Sequence, residues 1–550
     1  MATKQDETFD IVVVGSGAGA FATALGAVDE GLSVAMVEST DKWGGNSAMS
    51  GGGLWMPNNP LMKRDGAGDS REEAIEYMKI TIGEPGPASS EERIEAFVDG
   101  VEDWVLTAEK HGMEFIRAKE YPDYYPELPG GKIGRAIECT NINLKENGEW
   151  SDTQRDAMPL PLRTDDIWLL GRAWSTPAGF IRGAQFVFRT IGGLATGKKK
   201  TGLGGALMAN YANAVLVNGD ATLYLNTPAV DLVKDGDRVV GVKVDGPEGQ
   251  RVIYARLGVM LAGGGFESNQ EWREKYQGVE GFTSGAPGNL GGPIQMAMDA
   301  GAAIDYMDDA WWGGSLPPYE PGAKVPFMVG ERSLPYMMFV DSQGKRFVNE
   351  AESYIDLGHH MIEHDRGGDF WMLTAGPYNK RYFRTFSIQP GVIKGLTEKG
   401  MIVKADTIEE LAEKINVDPK TLIQTVDRFN GFAKTGIDHD FHKGDSAYDR
   451  YYGDPTIKPN PCLGAFEHGP YTAYKFVTGD LGTKGGAVTD ADARVLREDG
   501  SVIEGLYATG NNTASVMGHT YPGPGSTIGP ASVFGLRGAR HMAKNARTAK

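Results

Sequence analysis

The chain has 550 residues, 41% of them apolar, with 76 Gly, 29 Pro and a formal net charge of −18. That length predicts two or more domains, and the Gly and Pro content stays below the roughly 25–30% that marks low complexity. The acidic balance gives no electrostatic support to a nucleic-acid or anionic-membrane role, and the one basic run, "GKKKTG" at 197–202, reads as a solvated loop. Two cysteines, Cys139 and Cys462, provide neither a disulfide framework nor metal-ligand spacing, and the polar start "MATKQDETFD" is not a secretory signal. These features predict a cytoplasmic protein.

The first predicted element is a buried parallel strand, Asp10–Val14. Gly15, Ser16, Gly17, Ala18, Gly19 and Ala20 follow as a G-x-G-x-x-A turn, then an apolar helix over Phe21–Gly31. Gly15 permits the tight turn, Gly17 lets backbone approach a pyrophosphate, and Ala20 allows close helix packing. The 18 uncharged residues Ile11–Val28 reach the length of a membrane span, but three early glycines and a β-branched opening favour strand, turn and buried helix. A second apolar run, "LSVAMVES", ends at Glu38 and Ser39, where a carboxylate binds both ribose hydroxyls. Together these predict an ADP-ribose site, with Glu38 arguing against a 2′-phosphate.

The loop Thr40–Pro57 carries Gly44, Gly45, Asn46, Ser47 and the run Gly51, Gly52, Gly53. It resembles the segment that wraps the ribityl chain and isoalloxazine in flavoproteins of the fumarate-reductase/succinate-dehydrogenase type. The resemblance implies FAD, and the absence of histidine from this loop implies that it is held non-covalently. It also implies that Val230 meets the adenine by backbone contacts. "GVMLAGGGFESN" would bring Ala262, Gly263 and Gly264 to the cofactor, and "GLYATGNNT" would bring Gly510 and Asn511. Ser526, Thr527 and Ile528, where the last helix starts, complete the implied contacts.

Between these segments the texture turns aromatic, with "MDDAWWGG", "RFVNEAESYIDLG" and "YDRYYGDP", and "GKRFVNE" resembles a substrate-domain signature of the same superfamily. "TIEELAEKINVDPKTLIQTVDRFN" predicts two amphipathic helices forming a lid or cap. The predicted fold class is α/β: a Rossmann-like FAD-binding domain built from 1–293 and 475–550, with an inserted α+β catalytic domain, 294–474.

A dicarboxylate reductase needs an arginine beside the flavin near the last helix. This sequence has "GHTYPGPGSTIG" there, and no Arg until Arg537. The segments "VVVGSGAGA", "GGNSAMSGGGLWMPNNP", "AKEYPDYYPELPGG", "MDDAWW", "RFVNEAESY", "GDLGTKGG" and "TYPGPGSTIG" instead resemble, in order, the bacterial 3-ketosteroid Δ1-dehydrogenases. The resemblance implies a 3-ketosteroid substrate, a base at Tyr354, and Tyr124 (or its neighbours Tyr121 or Tyr125) hydrogen-bonding that base. Tyr521 and the Gly525 backbone N–H would form an oxyanion hole. It implies an external, quinone-like electron acceptor. A lipid-partitioning substrate is compatible with loose peripheral membrane association, for which the sequence holds no anchor. The histidines show no metal spacing, so no metal is expected. Trp311 and Trp312 read equally as slot lining or as core. Three alternatives stay open: a 3-ketosteroid Δ4-(5α)-dehydrogenase, a fumarate- or urocanate-type enoate reductase, and a non-catalytic flavin-dependent binding or electron-carrier protein.

Overall fold

The computed structural model describes residues 6–83, 86–155, 160–384 and 391–548. The first apolar run forms β1, Glu7–Val14, whose last four residues are buried. It pairs in parallel with β2, Val34–Val37, and β2 pairs in parallel with β3, Thr222–Tyr224. The chain then makes an antiparallel meander, β4 (Ala229–Asp235), β5 (Arg238–Gly246) and β6 (Gly249–Leu261). The far half of β6 returns to the other side of β1 in parallel register, Val14 opposite Leu261. Strands buried on both faces read as continuous Val/Ile/Leu runs, as β1, β2 and the end of β6 do.

Helix α1, Ala18–Asp29, links β1 to β2 and starts three residues before the sequence reading, because the small Ala18 and Gly19 fit its first turn. Among the helices that precede the second sheet are α2 (Glu91–Lys110), α3 (Thr164–Leu170) and α4 (Pro177–Ala195).

The second sheet holds β7 (Ala310–Ser315), β8 (Met337–Val340), β9 (Phe370–Thr374), β10 (Ile402–Ala405) and β11 (Tyr471–Thr483). β11 pairs antiparallel with β7, β9 and β10, and β8 pairs with β9. β11 runs continuously through 474 and 475, where the sequence reading set a domain boundary. Helix α5, Tyr354–His364, leans on β7, where a Cβ on Gly358 would come 2.3 Å from the Trp312 Cβ. The two amphipathic helices form as α6 (Ile408–Lys414) and α7 (Pro419–Thr435), capped by the side chains of Thr407 and Asp418. They do not form a lid over the tyrosines. Leu411, Leu422, Val426 and Phe429 pack with Met338, Val340 and Leu373 as a separate core.

The chain returns to the first sheet through β12 (Arg494–Leu496) and β13 (Val502–Ala508), β13 in parallel with β6. The last helix, α8 (Ile528–Thr548), lies on α1. A Cβ on Gly26 would stand 2.7 Å from the Ala539 Cβ, and one on Gly535 2.5 Å from the Gly19 carbonyl oxygen. Close approach of these helices therefore rests on glycines of both, with Ala20 wholly buried beside them. Among the described residues no helix is long and apolar enough to cross a membrane.

Candidate active site

The nucleotide half of the site is a bare backbone cradle. Gly15 has φ +108°, and a Cβ there would meet the Ala262 carbonyl oxygen at 2.4 Å, so only glycine turns the chain from β1 into α1. Gly17 opens α1 and has no side chain to cap it, so the positive end of the helix lies at this turn. Ser47 Oγ accepts from Ala18 N at 3.1 Å, and a Cβ on Gly45 would reach the Gly17 Cα at 3.7 Å, which lays the Gly44–Ser47 loop along the turn. Glu38 ends β2, nearly buried. Its carboxylate accepts from Ser16 Oγ at 2.5 Å, from Thr40 N at 3.0 Å and from Ser39 Oγ at 3.3 Å. Thr227 N donates to the Glu38 carbonyl at 2.8 Å, bringing Val230, 45% exposed at the start of β4, to the same end of the sheet. A helix start, glycine-only backbone and an accepting carboxylate just after β2 are the groups that an adenine dinucleotide needs, so the residues fit FAD.

At the other half, a cavity is lined by Trp311, Gly510, Asn511, Ser526, Thr527 and Pro530. Gly263 N donates to Asn512 Oδ1 at 2.5 Å, which ties the Ala262–Gly264 turn to the Gly510–Asn511 turn; a Cβ on Gly264 would crowd the Asn289 amide. Asn46 spends its amide on the protein: Nδ2 donates to buried Glu267 at 2.6 Å and Oδ1 accepts from Ala286 N at 2.6 Å. Gly53 lies beside the Pro524 carbonyl, which a Cβ there would meet at 3.5 Å; Gly52 is instead pressed against the Leu203–Gly204 backbone, and Gly51 faces open space. α8 begins at Ile528, two residues after the sequence reading, because the Ser526 hydroxyl closes the preceding turn on Gly523, accepting from its N–H and donating to its carbonyl.

That turn carries Tyr521. The Pro522 carbonyl accepts from Tyr124 N at 2.9 Å and from Tyr77 Oη at 2.6 Å, pinning the tyrosine loop to the Pro-Gly turn. The Tyr124 and Tyr521 rings stack with centroids 5.2 Å apart and 17° between planes. Tyr354, the first residue of α5, meets both, 5.4 Å from Tyr124 and 5.1 Å from Tyr521. All three are buried. Its neighbours are aimed elsewhere: Tyr125 Oη donates to Asp356 at 3.0 Å, and Tyr121 Oη pairs with Tyr452 Oη at 2.5 Å. Gly525 has φ +101°, and a Cβ there would lie 2.3 Å from the Gly53 carbonyl oxygen. Its N–H and the Thr527 hydroxyl, 3.4 Å from Tyr521 Oη, face the Tyr521 oxygen.

Burial pushes all three phenols above the usual tyrosine range, Tyr354 and Tyr124 furthest. At Tyr354 the Tyr124 hydroxyl opposes that rise by hydrogen bonding, while the contact with Tyr521 adds to it. At Tyr521 the same contact lowers the pKa.

Sequence reasoning missed a buried charge network behind the tyrosines. Asp309 lies 2.8 Å from His359 Nε2 on α5, 2.8 Å from His519 Nδ1 and 3.5 Å from Lys484 Nζ. Lys484, wholly buried, donates to the carbonyls of Gly518 (2.9 Å) and Thr520 (3.0 Å) and stands 4.6 Å from the Trp311 ring centroid. Burial would raise the Asp309 carboxyl, but Lys484 and the histidines hold it far below the carboxylate range; burial brings Lys484 down to about 8. The network ties α5, β7 and the Tyr521 turn together. "MDDAWW" and "GDLGTKGG" contained Asp309 and Lys484, but their partnership is a product of the fold. Trp311 meets Tyr521 edge-on at 5.2 Å, whereas Trp312 is core, stacked under Arg273. Arg537 is engaged by Asp492 and the Ala491 carbonyl.

Fold and site together define a flavoprotein dehydrogenase. The model of an FAD binding domain family matches residues 10–528. A 3-oxosteroid 1-dehydrogenase of Mycolicibacterium smegmatis is 42% identical, over 99% of each chain. The crystal structure of the 3-ketosteroid Δ1-dehydrogenase from Sterolibacterium denitrificans, in complex with 1,4-androstadiene-3,17-dione, superposes with a TM-score of 0.90 at 37% identity, covering 98% of this chain and 100% of that one. The 3-ketosteroid Δ4-(5α)-dehydrogenase from Rhodococcus jostii RHA1, at 19% identity and a TM-score of 0.62 (99% and 98% covered), shares the fold alone. The chain belongs to the FAD-dependent 3-oxosteroid 1-dehydrogenase family.

Proposed function

We propose that Tyr354, Tyr124, Tyr521 and Gly525 are the groups with which this chain dehydrogenates carbons 1 and 2 of a 3-ketosteroid. The observation that carries the assignment is the meeting of three buried tyrosine rings, with centroids 5.1–5.4 Å apart, beside glycines of the cofactor loop. FAD, held non-covalently, supplies the two-electron acceptor for carbon 1, and an external quinone-like acceptor reoxidises it.

The chain's own work is acid–base. Carbon 2 lies α to the carbonyl, so its proton is lost only if the developing enolate oxygen is stabilised. Tyr521 Oη and the Gly525 N–H donate to that oxygen. Tyr354 then takes the carbon-2 proton as phenolate. Tyr124 donates to its oxygen, and the N-terminal end of α5, where Tyr354 sits, favours the negative charge. The apolar walls exclude water, which strengthens each of these interactions. Residues 294–474 act as the catalytic domain, completed by Tyr124 and Tyr521 from the FAD-binding segments.

Stopped-flow turnover of the Tyr354→Phe holoenzyme tests the assignment. FAD content should be unchanged, and reduction by a 3-ketosteroid should slow about 10²–10⁴-fold, the share of a general base. Reduction at the wild-type rate would remove Tyr354 from the mechanism.

A further inference from the structure

Arg93, in the first turn of α2, is a buried cation without a counter-ion: it is 2% exposed, and among the described residues no carboxylate pairs with it. Its Nη1 donates to the carbonyls of Ala88 and Ala514, the latter at 3.3 Å and 421 residues away in the chain. Its guanidinium carbon stands 4.9 Å from the centroid of the Phe534 ring on α8, and its Nε has no hydrogen-bond partner. Asp490 acts on it through space but is itself held by Arg494 at 2.7 Å. Burial brings Arg93 down to about 10, which leaves it charged at neutral pH. A buried charge left unpaired is strongly destabilising, so its place in the fold points to an anion that arrives from outside the chain.

The cavity beside it selects the anion. Arg93 lines the same cavity as Trp311, Gly510, Asn511, Ser526 and Thr527. The 21-residue α8 begins at Ile528, so the positive end of a long helix meets this cavity from one side and the guanidinium from another. Bound FAD offers two anionic groups. The Gly15–Gly17 turn at the start of α1 suits the diphosphate. The other arises only on reduction, as a negative charge shared by N1 and the C2 carbonyl of the isoalloxazine. A cation with no partner in the resting protein matches the second.

We propose that Arg93 is the counter-ion of the reduced flavin and raises the midpoint potential of the bound cofactor. Hydride brings two electrons and one hydrogen, so a flavin that takes up no further proton gains one negative charge, which Arg93 and the start of α8 meet together. The oxidised ring is neutral at this edge, so the waiting cation favours the reduced state and makes the cofactor the stronger acceptor. The inference rests on FAD as the two-electron acceptor of the proposed function and is independent of the tyrosine assignments.

An anaerobic redox titration of the holoenzyme with dithionite, beside a dye of known potential, tests it without any steroid. Arg93→Met should lower the midpoint potential by at least about 30 mV, a tenfold loss of preference for the reduced over the oxidised cofactor in a two-electron couple. Its content of oxidised FAD should match the wild type, and Arg93→Lys, which keeps the charge, should recover most of the shift. The dithionite-reduced wild type should show the absorbance of the anionic hydroquinone at neutral pH. An unchanged potential in Arg93→Met overturns the proposal. So does an equal loss of affinity for oxidised and reduced FAD, which assigns Arg93 to the diphosphate or to packing. Should Arg93→Met fail to fold, a neutral hydroquinone in the wild type at neutral pH overturns it alone. The predicted shift in a protein that does not oxidise 3-ketosteroids leaves Arg93 its role and removes the proposed function instead.

Discussion

In the proposed mechanism the proton on Tyr354 controls the chemistry, and its environment is divided. Burial, the largest influence, and the contact with Tyr521 keep the phenol protonated; the Tyr124 hydroxyl and the start of α5 favour the phenolate. Burial wins in the ligand-free state. Since only the phenolate accepts the carbon-2 proton, and its fraction grows as pH rises towards a raised pKa, kcat/KM should climb from pH 7 to pH 9. A steady-state pH profile checks this, and a flat profile contradicts it. Tyr521→Phe removes one of the two proposed oxyanion donors and should lower kcat about 10²–10³-fold. Only Tyr354, Tyr124 and Tyr521 were singled out from 21 tyrosines, and their family motifs carried that reading. Nothing in composition or periodicity separates Tyr124 from Tyr121 and Tyr125; the backbone bond to Pro522 does.

Among the elements, the Pro-Gly turn before α8 does the positioning, and its stiffness has two sources. Gly525 holds a left-handed conformation against the Gly53 carbonyl, so Gly525→Ala must displace one strand of the site. Activity should fall more than about tenfold with FAD still bound, measured as turnover per bound flavin. Behind the turn, Lys484 bonds the Gly518 and Thr520 carbonyls and faces Asp309. Lys484→Met leaves a buried carboxylate without its lysine, a loss of about 3–5 kcal/mol, so thermal unfolding at pH 7 should drop by several degrees. The glycine turn, the parallel strands and the capped helices α6 and α7 were legible because local periodicity and capping chemistry produce them. The place of α6 and α7 was not. Amphipathicity says that a helix covers something apolar, and the second sheet rather than the substrate proved to be what they cover. The Asp309 network was illegible for the same reason: its members lie up to 210 residues apart and meet only in the fold.

At the scale of the molecule, both ends of the chain build one nucleotide-binding sheet, and the segment between them supplies Tyr354 and the second sheet. The α1–α8 contact holds the ends together through facing glycines, so the cradle at Gly15–Gly17 and the Tyr521 turn form as a unit. Glu38→Gln should weaken FAD binding at least about tenfold, because the carboxylate that closes the cradle loses its charge; dialysed protein would show the lower flavin content. An anaerobic titration of the holoenzyme with 4-androstene-3,17-dione, following the oxidised-flavin absorbance, tests the central claim most directly. Stoichiometric bleaching with formation of the 1,4-diene is the expected result. A flavin that stays yellow with this steroid, yet is reoxidised by fumarate after reduction with dithionite, would contradict it and make the chain an enoate reductase.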